Sequence, residues 1–469
     1  MRRLDTVPDL CKALQAVESK FEHAILLESA RATKTPDGRW LGRYSFLTAD
    51  PMEWTSVGPD EPAPLEPLRK RLSELQFDRN SALPPFQGGY AGLLSYELGR
   101  SFEELPAAEH DEFQIPSIAM GLYDVVLAVD HQTDEAWLIS QGWKACGTRC
   151  HERAMARLDS FANALQRDSL PDEFICPVRT ELSHSFEVEA PLDLYSNFDR
   201  ESYIDAVQRA IDYIYAGDVF QINLAQRLVA PATDSSVNLY RRLRDCNPAP
   251  FGGYFDLGEN QIVSASPERL VSVCKGVVET RPIKGTRRRT RYPEVDLLTG
   301  DDLLASEKDR AENVMIVDLM RNDLSRVCTN DSVVVTQLCE LEQYESVIHL
   351  VSAIQGTLRP GMDTFDLIKA VFPGGSITGT PKVRSMEIIS ELENTARGAY
   401  CGSLGYIGCD GVADFNILIR TITASGGWWQ IPVGGGIVSQ SKPVAEYEET
   451  WTKAAGMLRA VQSSNVSDS

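Results

Sequence analysis

The sequence predicts an α+β fold, and three features predict it. Strand-like and helix-like segments are interspersed without a regular strand–helix–strand rhythm. In VFQINLAQRL, Phe220, Ile222, Leu224 and Leu228 alternate with Gln221, Asn223 and Arg227, which reads as a strand with one polar face. In Arg200–Gly217, Tyr203, Val207, Ala210, Ile211 and Ile214 recur at helical spacing, and Gly217 suits the left-handed end of a helix.

Taken in order, residues 1–165 form a mixed region in which HAILLES, GRYSFL and QGGYAGLLSYELG read as strands and turns. Residues 166–197 are polar and proline-marked (QRDSLPDEFICPVRTELSHS) and read as a linker. Residues 198–462 carry the sharper pattern. Within them Leu303 to about Leu324 predicts a helix with Val314, Met315, Leu319 and Met320 on its apolar side. Pro443 opens a last helix through EYEETWTKAAGMLRAV, since proline at the first helical position forfeits no hydrogen bond. Residues 463–469 read as a flexible tail.

Composition excludes several classes of function. The 469 residues are 43% hydrophobic and 24% charged, as in ordinary globular chains. Forty-six Lys+Arg against 67 Asp+Glu give a net charge of −21, which disfavours a nucleic-acid partner and requires a local cationic site for any anionic substrate. No run reaches the ~20 apolar residues that span a bilayer, and MRRLDTVPDLCKAL has no hydrophobic signal core. Ten dispersed cysteines suit a reducing compartment. The expectation is a cytoplasmic protein without a membrane or nucleic-acid partner.

Four local motifs are false leads. GGSITGTPK has P-loop glycines, but Thr380-Pro381-Lys382 stands where Lys-Ser/Thr is needed, so it reads as a glycine turn capped by Thr380 before a helix. CGTRCH lacks a second ligand pair at zinc spacing and reads as a solvated helical segment. GYIGCDGVADFNI is a strand–turn–strand rather than a glutaminase nucleophile site. RPIKGTRRRTR is a basic loop without interleaved aromatics.

Four segments hold candidate chemistry. ASPERL sets Glu268 after the strand QIVSAS, and RPIKGT sets Lys284 before Gly285 and Thr286. SEKDRAENVMIVDLMRNDL puts Asp309 and Glu312 on one helical face, and AEYEETWTK does the same for Glu446, Glu449 and Lys453. Each alone has an ordinary explanation as a solvated face or an i,i+4 pair.

Together with GGSITGTPK, GYIGCDG…FNILIRT and GGGIV, in this order over most of residues 198–460, these segments resemble the chorismate-utilising enzymes. That family comprises anthranilate synthase large subunits, aminodeoxychorismate synthase component I, and isochorismate and salicylate synthases. LLES, GRYSFL and NPAPF extend the likeness to the first two. The resemblance implies two large antiparallel sheets packed as a sandwich with flanking helices and with the two regions interwoven.

It also implies a Mg²⁺ site of Glu312 and Glu449 with Asp309 and Glu446 nearby, a hard-oxygen set that suits this ion. Tyr400, Arg420 and the amide of Gly436 match positions that bind the enolpyruvyl carboxylate of chorismate in relatives, and Lys453 matches a basic residue near the metal-bound carboxylate. His349 matches a residue near the ring, and Thr378 and Gly379 line the same cavity. Ser29, Pro250 and Phe251 match a tryptophan pocket, the alternative being ordinary strand and turn packing.

Two positions choose among relatives. Gln221 stands where water-using members have a lysine, and Lys284 stands where anthranilate synthases usually have alanine. The implied reaction is amination at C4, with Glu268 as general acid and Lys284 as nucleophile. Ammonia would come from a separate glutamine amidotransferase subunit, since this chain shows no glutaminase triad. The alternatives are anthranilate synthase component I and a non-catalytic subunit that binds an aromatic ligand.

Overall fold

Two large antiparallel sheets face each other in the computed structural model, which describes residues 1–30, 33–34, 40–166, 174, 177–183, 185–188, 193–289, 293–343 and 347–462. Among these residues the first sheet has thirteen strands and the second ten. The apolar layer between them includes Ile25, Phe46, Val126, Val229 and Phe255 from the first sheet and Ala91, Leu93, Ala119, Leu404 and Tyr406 from the second. Phe46 meets Tyr406 edge-on across this layer, ring centres 5.4 Å apart, an arrangement favoured by the aromatic quadrupole. The predicted α+β sandwich is therefore the fold observed.

Both sheets mix early and late chain. Strand Ile25–Glu28 pairs with Gly252–Asp256, and Gly89–Leu94 pairs with Ser403–Gly408. Within the stretch read as a linker, Phe186–Glu187 and Tyr195–Ser196 extend the first sheet, and Thr180 N donates to Gly426 O at 2.8 Å. Residues 167–173, 175–176, 184 and 189–192 of that stretch, and the tail 463–469, lie outside the described residues.

Seven elements position the candidate site: β1 (Gln221–Pro231), β2 (Ile283–Arg288), α1 (Glu307–Ser325), β3 (Val347–Thr357), α2 (Lys382–Glu393), β4 (Trp428–Ile437) and α3 (Pro443–Gln462). β1 pairs with β4 in the first sheet, and β2 with β3 in the second. α3 starts at Pro443 and the Arg200–Ala216 helix ends on left-handed Gly217 (φ 84°), both as the sequence predicts. The strand–turn–strand reading of GYIGCDGVADFNI also holds.

The predicted strand is β1, and its polar face is buried with the rest of it because β4 and the Tyr195–Ser196 strand flank it. Gln226 donates to Thr450 at 2.6 Å, and Arg227 pairs with Glu112 at 3.0 Å. Four local expectations are corrected. Phe220 falls just before β1 and is 70% exposed. The predicted Leu303–Leu324 helix is two helices, because Ser306 caps α1 by accepting from Asp309 N at 3.3 Å; Val314 on α1 is exposed, and the buried stripe runs through Asn313, Ile316, Val317, Met320 and Leu324. Cys146 lies in a turn, with the helix starting at His151, and Pro381 rather than Thr380 precedes α2.

Candidate active site

Glu268 follows strand Gln261–Ser264 and is 4% exposed. Lys284 projects from β2, partly buried. One residue joins them: Ser376, in the short turn Gly375–Ile377, donates its hydroxyl to Glu268 Oε1 at 2.9 Å, and its carbonyl accepts from Lys284 Nζ at 3.1 Å. The β2–β3 register shifts between Lys284 and Thr286, and Gly285 takes up the irregularity at φ 78°. A Cβ at Gly285 would lie 2.8 Å from Leu303 Cδ1 and 3.1 Å from Asp309 Cγ, so a glycine there lets β2 lie against α1.

Electrostatics set the pair apart. Burial raises the Glu268 carboxyl above the ordinary range, although Lys284, the Ser376 hydroxyl and the Ile283 amide pull it down. Burial lowers the Lys284 ammonium, and Lys453 adds to this, while Glu312, Glu268 and Glu449 oppose. Both shifts run toward the uncharged forms, the direction that acid-assisted nucleophilic attack needs.

A carboxylate cluster borders Lys284. Glu312 on α1 is raised by burial and by Asp309 and Glu446, against Lys284 and Lys308. Burial works to raise Glu449 on α3 too, but Lys453, Lys308 and Lys284 overrule it, and its carboxyl ends below the ordinary range. Lys453 pairs with Glu449 at 2.8 Å and donates to Gly434 O of β4 at 2.8 Å. Glu446 accepts from the Ser441 hydroxyl at 2.6 Å.

This cluster fits a hard divalent cation. A Cβ added at Gly435 would stand 3.3 Å from Lys453 Nζ, 3.6 Å from Glu446 Oε2 and 3.7 Å from Glu449 Oε1, so the glycine leaves room directly beneath the carboxylates. Its donors are all carboxylate oxygens. Among the described residues no three His, Cys, Asp or Glu side chains converge closely enough to hold an ion alone.

The other predicted residues surround this centre unevenly. His349 on β3 sits opposite Thr286, whose Oγ1 is 2.8 Å from Nδ1; burial and then Arg420 push the imidazole down to about 4, so it is neutral at pH 7. Arg420, held at φ 54°, donates from its guanidinium to the Lys453 carbonyl, tying it to α3. Gln221 is 1% exposed, with Oε1 lacking a hydrogen-bond partner among the described residues; a Cβ at Gly436 would collide with its amide. Thr378 is buried, with Oγ1 on Gly374 O at 3.0 Å and its carbonyl on Asn223 N at 2.7 Å; Gly379 pairs with Ile222 at φ 149°.

Tyr400 is buried. Its ring lies 5.7 Å from the Arg397 guanidinium, burial keeps its phenol protonated, and the neighbouring Cys401 feels the charge of Glu268. Ser29, Pro250 and Phe251 form a separate group: Ser29 Oγ donates to Pro250 O at 2.8 Å, and Phe251 lies under the Arg269 guanidinium at 4.7 Å.

Ser376 and Lys308 belong to the centre without a distinguishing signal in the sequence. A serine in a glycine turn reads as a turn residue, and a lysine four residues before Glu312 reads as a helix pair. Only the fold brings Ser376, 92 positions from Lys284, onto that amine.

Comparison with known proteins supplies independent findings. A family model described as chorismate binding enzyme matches residues 22–459. The chain is 37% identical over 455 residues to aminodeoxychorismate synthase component 1 of Bacillus subtilis, covering 94% of this chain and 92% of that one. It is 41% identical over 399 residues to anthranilate synthase component 1 of Thermus thermophilus, covering 85% and 82%. Among solved structures, anthranilate synthase component I of Streptococcus pneumoniae superposes with a TM-score of 0.76 at 33% identity, covering 88% of this chain and 92% of that chain.

Proposed function

The chain belongs to the chorismate binding enzyme family, and we propose that it aminates chorismate at C4 to give 4-amino-4-deoxychorismate, a precursor of 4-aminobenzoate for folate synthesis. Mg²⁺ is the proposed cofactor, and the proposed ammonia source is a separate glutamine amidotransferase subunit. Relatives named aminodeoxychorismate synthase component 1 support this reading, and the word component supports a second subunit.

The observation that carries it is Lys284. A primary amine with a lowered proton affinity lies within one residue's reach of a buried acid and beside a carboxylate cluster. Glu268 delivers its proton to the C4 hydroxyl, a poor leaving group without it. The Lys284 amine, in its neutral form, attacks C2, both ring double bonds shift by one position toward C4, and the hydroxyl leaves C4 as water. Ammonia then attacks C4, both double bonds shift back, and Lys284 leaves C2 with a proton returned to it. Two displacements replace one difficult substitution, and chorismate plus ammonia is converted to product plus water.

Glu312 and Glu449, with Glu446 behind them, would hold Mg²⁺, which when bound neutralises a substrate carboxylate that the acidic chain would otherwise repel. Arg420 offers a planar guanidinium for the enolpyruvyl carboxylate, and Lys453 keeps positive charge at the other one. Gln221 is neutral and cannot activate water as a lysine would, which favours ammonia as the incoming nucleophile. Neutral His349 can donate or accept one hydrogen bond at the ring without adding charge.

The deciding experiment is product identification after incubation with chorismate, Mg²⁺ and an ammonium salt. The expected product is 4-amino-4-deoxychorismate. Direct release of anthranilate and pyruvate would replace this reading with anthranilate synthase component I.

A further inference from the structure

We propose that Ser376 is a positioning residue for the acid step, its hydroxyl fixing which oxygen of Glu268 carries the proton while its carbonyl aligns the Lys284 amine. The inference rests on the proposed roles of those two residues. Ser376 Oγ donates to Oε1 of Glu268 at 2.9 Å, and no other hydrogen bond of that hydroxyl is present among the described residues. In the protonated carboxyl that the acid step requires, the oxygen accepting from a hydroxyl is the carbonyl oxygen, which leaves Oε2 to carry the acidic hydrogen. Ser376 is 6% exposed, and water does not readily replace it as the donor.

The same residue contacts the second partner through its backbone. The Ser376 carbonyl takes one N–H of Lys284 at 3.1 Å, which restricts rotation of the amine about its last bond and directs its lone pair. The turn that makes both contacts possible is itself held. Gly375 packs where a Cβ would lie 2.5 Å from Leu319 Cδ2 of α1, and Arg397 donates to the next carbonyl, Ile377 O, at 3.1 Å. Acid and amine are thus registered to one another by a single residue on a braced turn.

The hydroxyl gains importance as the reaction proceeds. When Oε2–H passes its proton to the departing hydroxyl, Glu268 becomes a carboxylate and its bond from Ser376 becomes charge-assisted. The bond is stronger after transfer than before, so it lowers the barrier as well as orienting the acid. The other groups acting on Glu268 are Lys284 from β2, the Ile283 amide and Cys401, and all are untouched by changes to the Ser376 side chain.

The test is the pH dependence of total chorismate consumption, whatever product forms, for Ser376→Ala, Ser376→Cys and Ser376→Thr. Ser376→Ala should lower kcat roughly ten- to hundredfold with little change in KM, the usual worth of one hydrogen bond to a developing charge. Because that bond favours the ionised form, losing it should also move the alkaline limb of the kcat profile to higher pH while the plateau falls. Ser376→Cys keeps the volume with a weaker donor and should behave alike, and Ser376→Thr should restore both rate and limb. An unmoved limb in both Ala and Cys variants, or wild-type kcat in either, overturns the inference. Anthranilate as the product would overturn the proposed function alone, since the effect on hydroxyl departure is read independently.

Discussion

Lys308 of α1 reaches Glu446 of α3, with Nζ 3.6 Å from Oε1, and also lies 3.9 Å from Glu312 Oε1. The two helices that carry the candidate metal carboxylates therefore meet around an ammonium. A half-exposed lysine is a weak substitute for a divalent ion, because its charge is single and it is drawn into solvent. Magnesium at about 100 times its Kd should stabilise the folded chain by ~2.7 kcal/mol, read as a rise in Tm. Glu312→Gln and Glu449→Gln should remove most of that rise as well as the Mg²⁺-dependent activity. A full magnesium shift in both variants would place the ion elsewhere.

Lys284→Ala removes the amine while leaving Glu268 and its Ser376 bond in place. Formation of 4-amino-4-deoxychorismate should slow by roughly 10²-fold or more, the scale set by losing a positioned nucleophile. Acid-quenched wild-type protein should show a covalent adduct by intact mass, absent from the variant. An adduct that maps to another residue would reassign the nucleophile.

How much of this arrangement was legible before the fold depended on whether its cause was local. The Arg200–Ala216 helix and the start of α3 were readable because apolar spacing, Gly217 and Pro443 act within a few residues. The two sheets followed from resemblance, since no local pattern announces which strands pair. The strand of β1 was legible, but the burial of its polar residues was not, because it depends on the pairing with β4 and on contacts such as those to Thr450 and Glu112. Glu268, Lys284 and the carboxylates were recognisable as motifs, but their meeting depends on pairings such as Lys284 with Leu350.

Arg397 and Glu393 form an ion pair at 2.6 Å, with side chains 3% and 5% exposed. Arg397 also donates to Ile377 O and Asn223 O, and Glu393 accepts from Ala225 N, so the pair fastens the end of α2 to β1 and to the turn bearing Ser376. Arg397→Met should destabilise by ~3–5 kcal/mol, because it leaves a buried carboxylate without its partner. Pairing it with Glu393→Leu should recover part of the loss. Urea denaturation of the single and double variants measures this, and additive losses would show that the charges act independently.

Glu97 offers a stability prediction whose sign is fixed. It lies within the turn Tyr96–Ser101 with its side chain buried, Oε1 accepts from Arg397 N at 2.9 Å, and burial pushes the carboxyl from 4.5 up to about 7, with Asp111 adding to the effect against the Arg397 and Gly398 amides. The folded state thus holds this proton more tightly than the unfolded chain. The associated stability is fully present below about pH 4.5 and is lost as pH rises through about 7, a span worth roughly 3 kcal/mol at most. Glu97→Gln keeps an acceptor for the Arg397 amide but cannot ionise. It should match the wild type near pH 4.5 and exceed it in urea denaturation at pH 8, with the gap opening between those values. If the wild type instead gained stability over the variant toward pH 8, the Glu97 carboxylate would have to be better solvated or paired in the folded chain than its burial beside Asp111 allows.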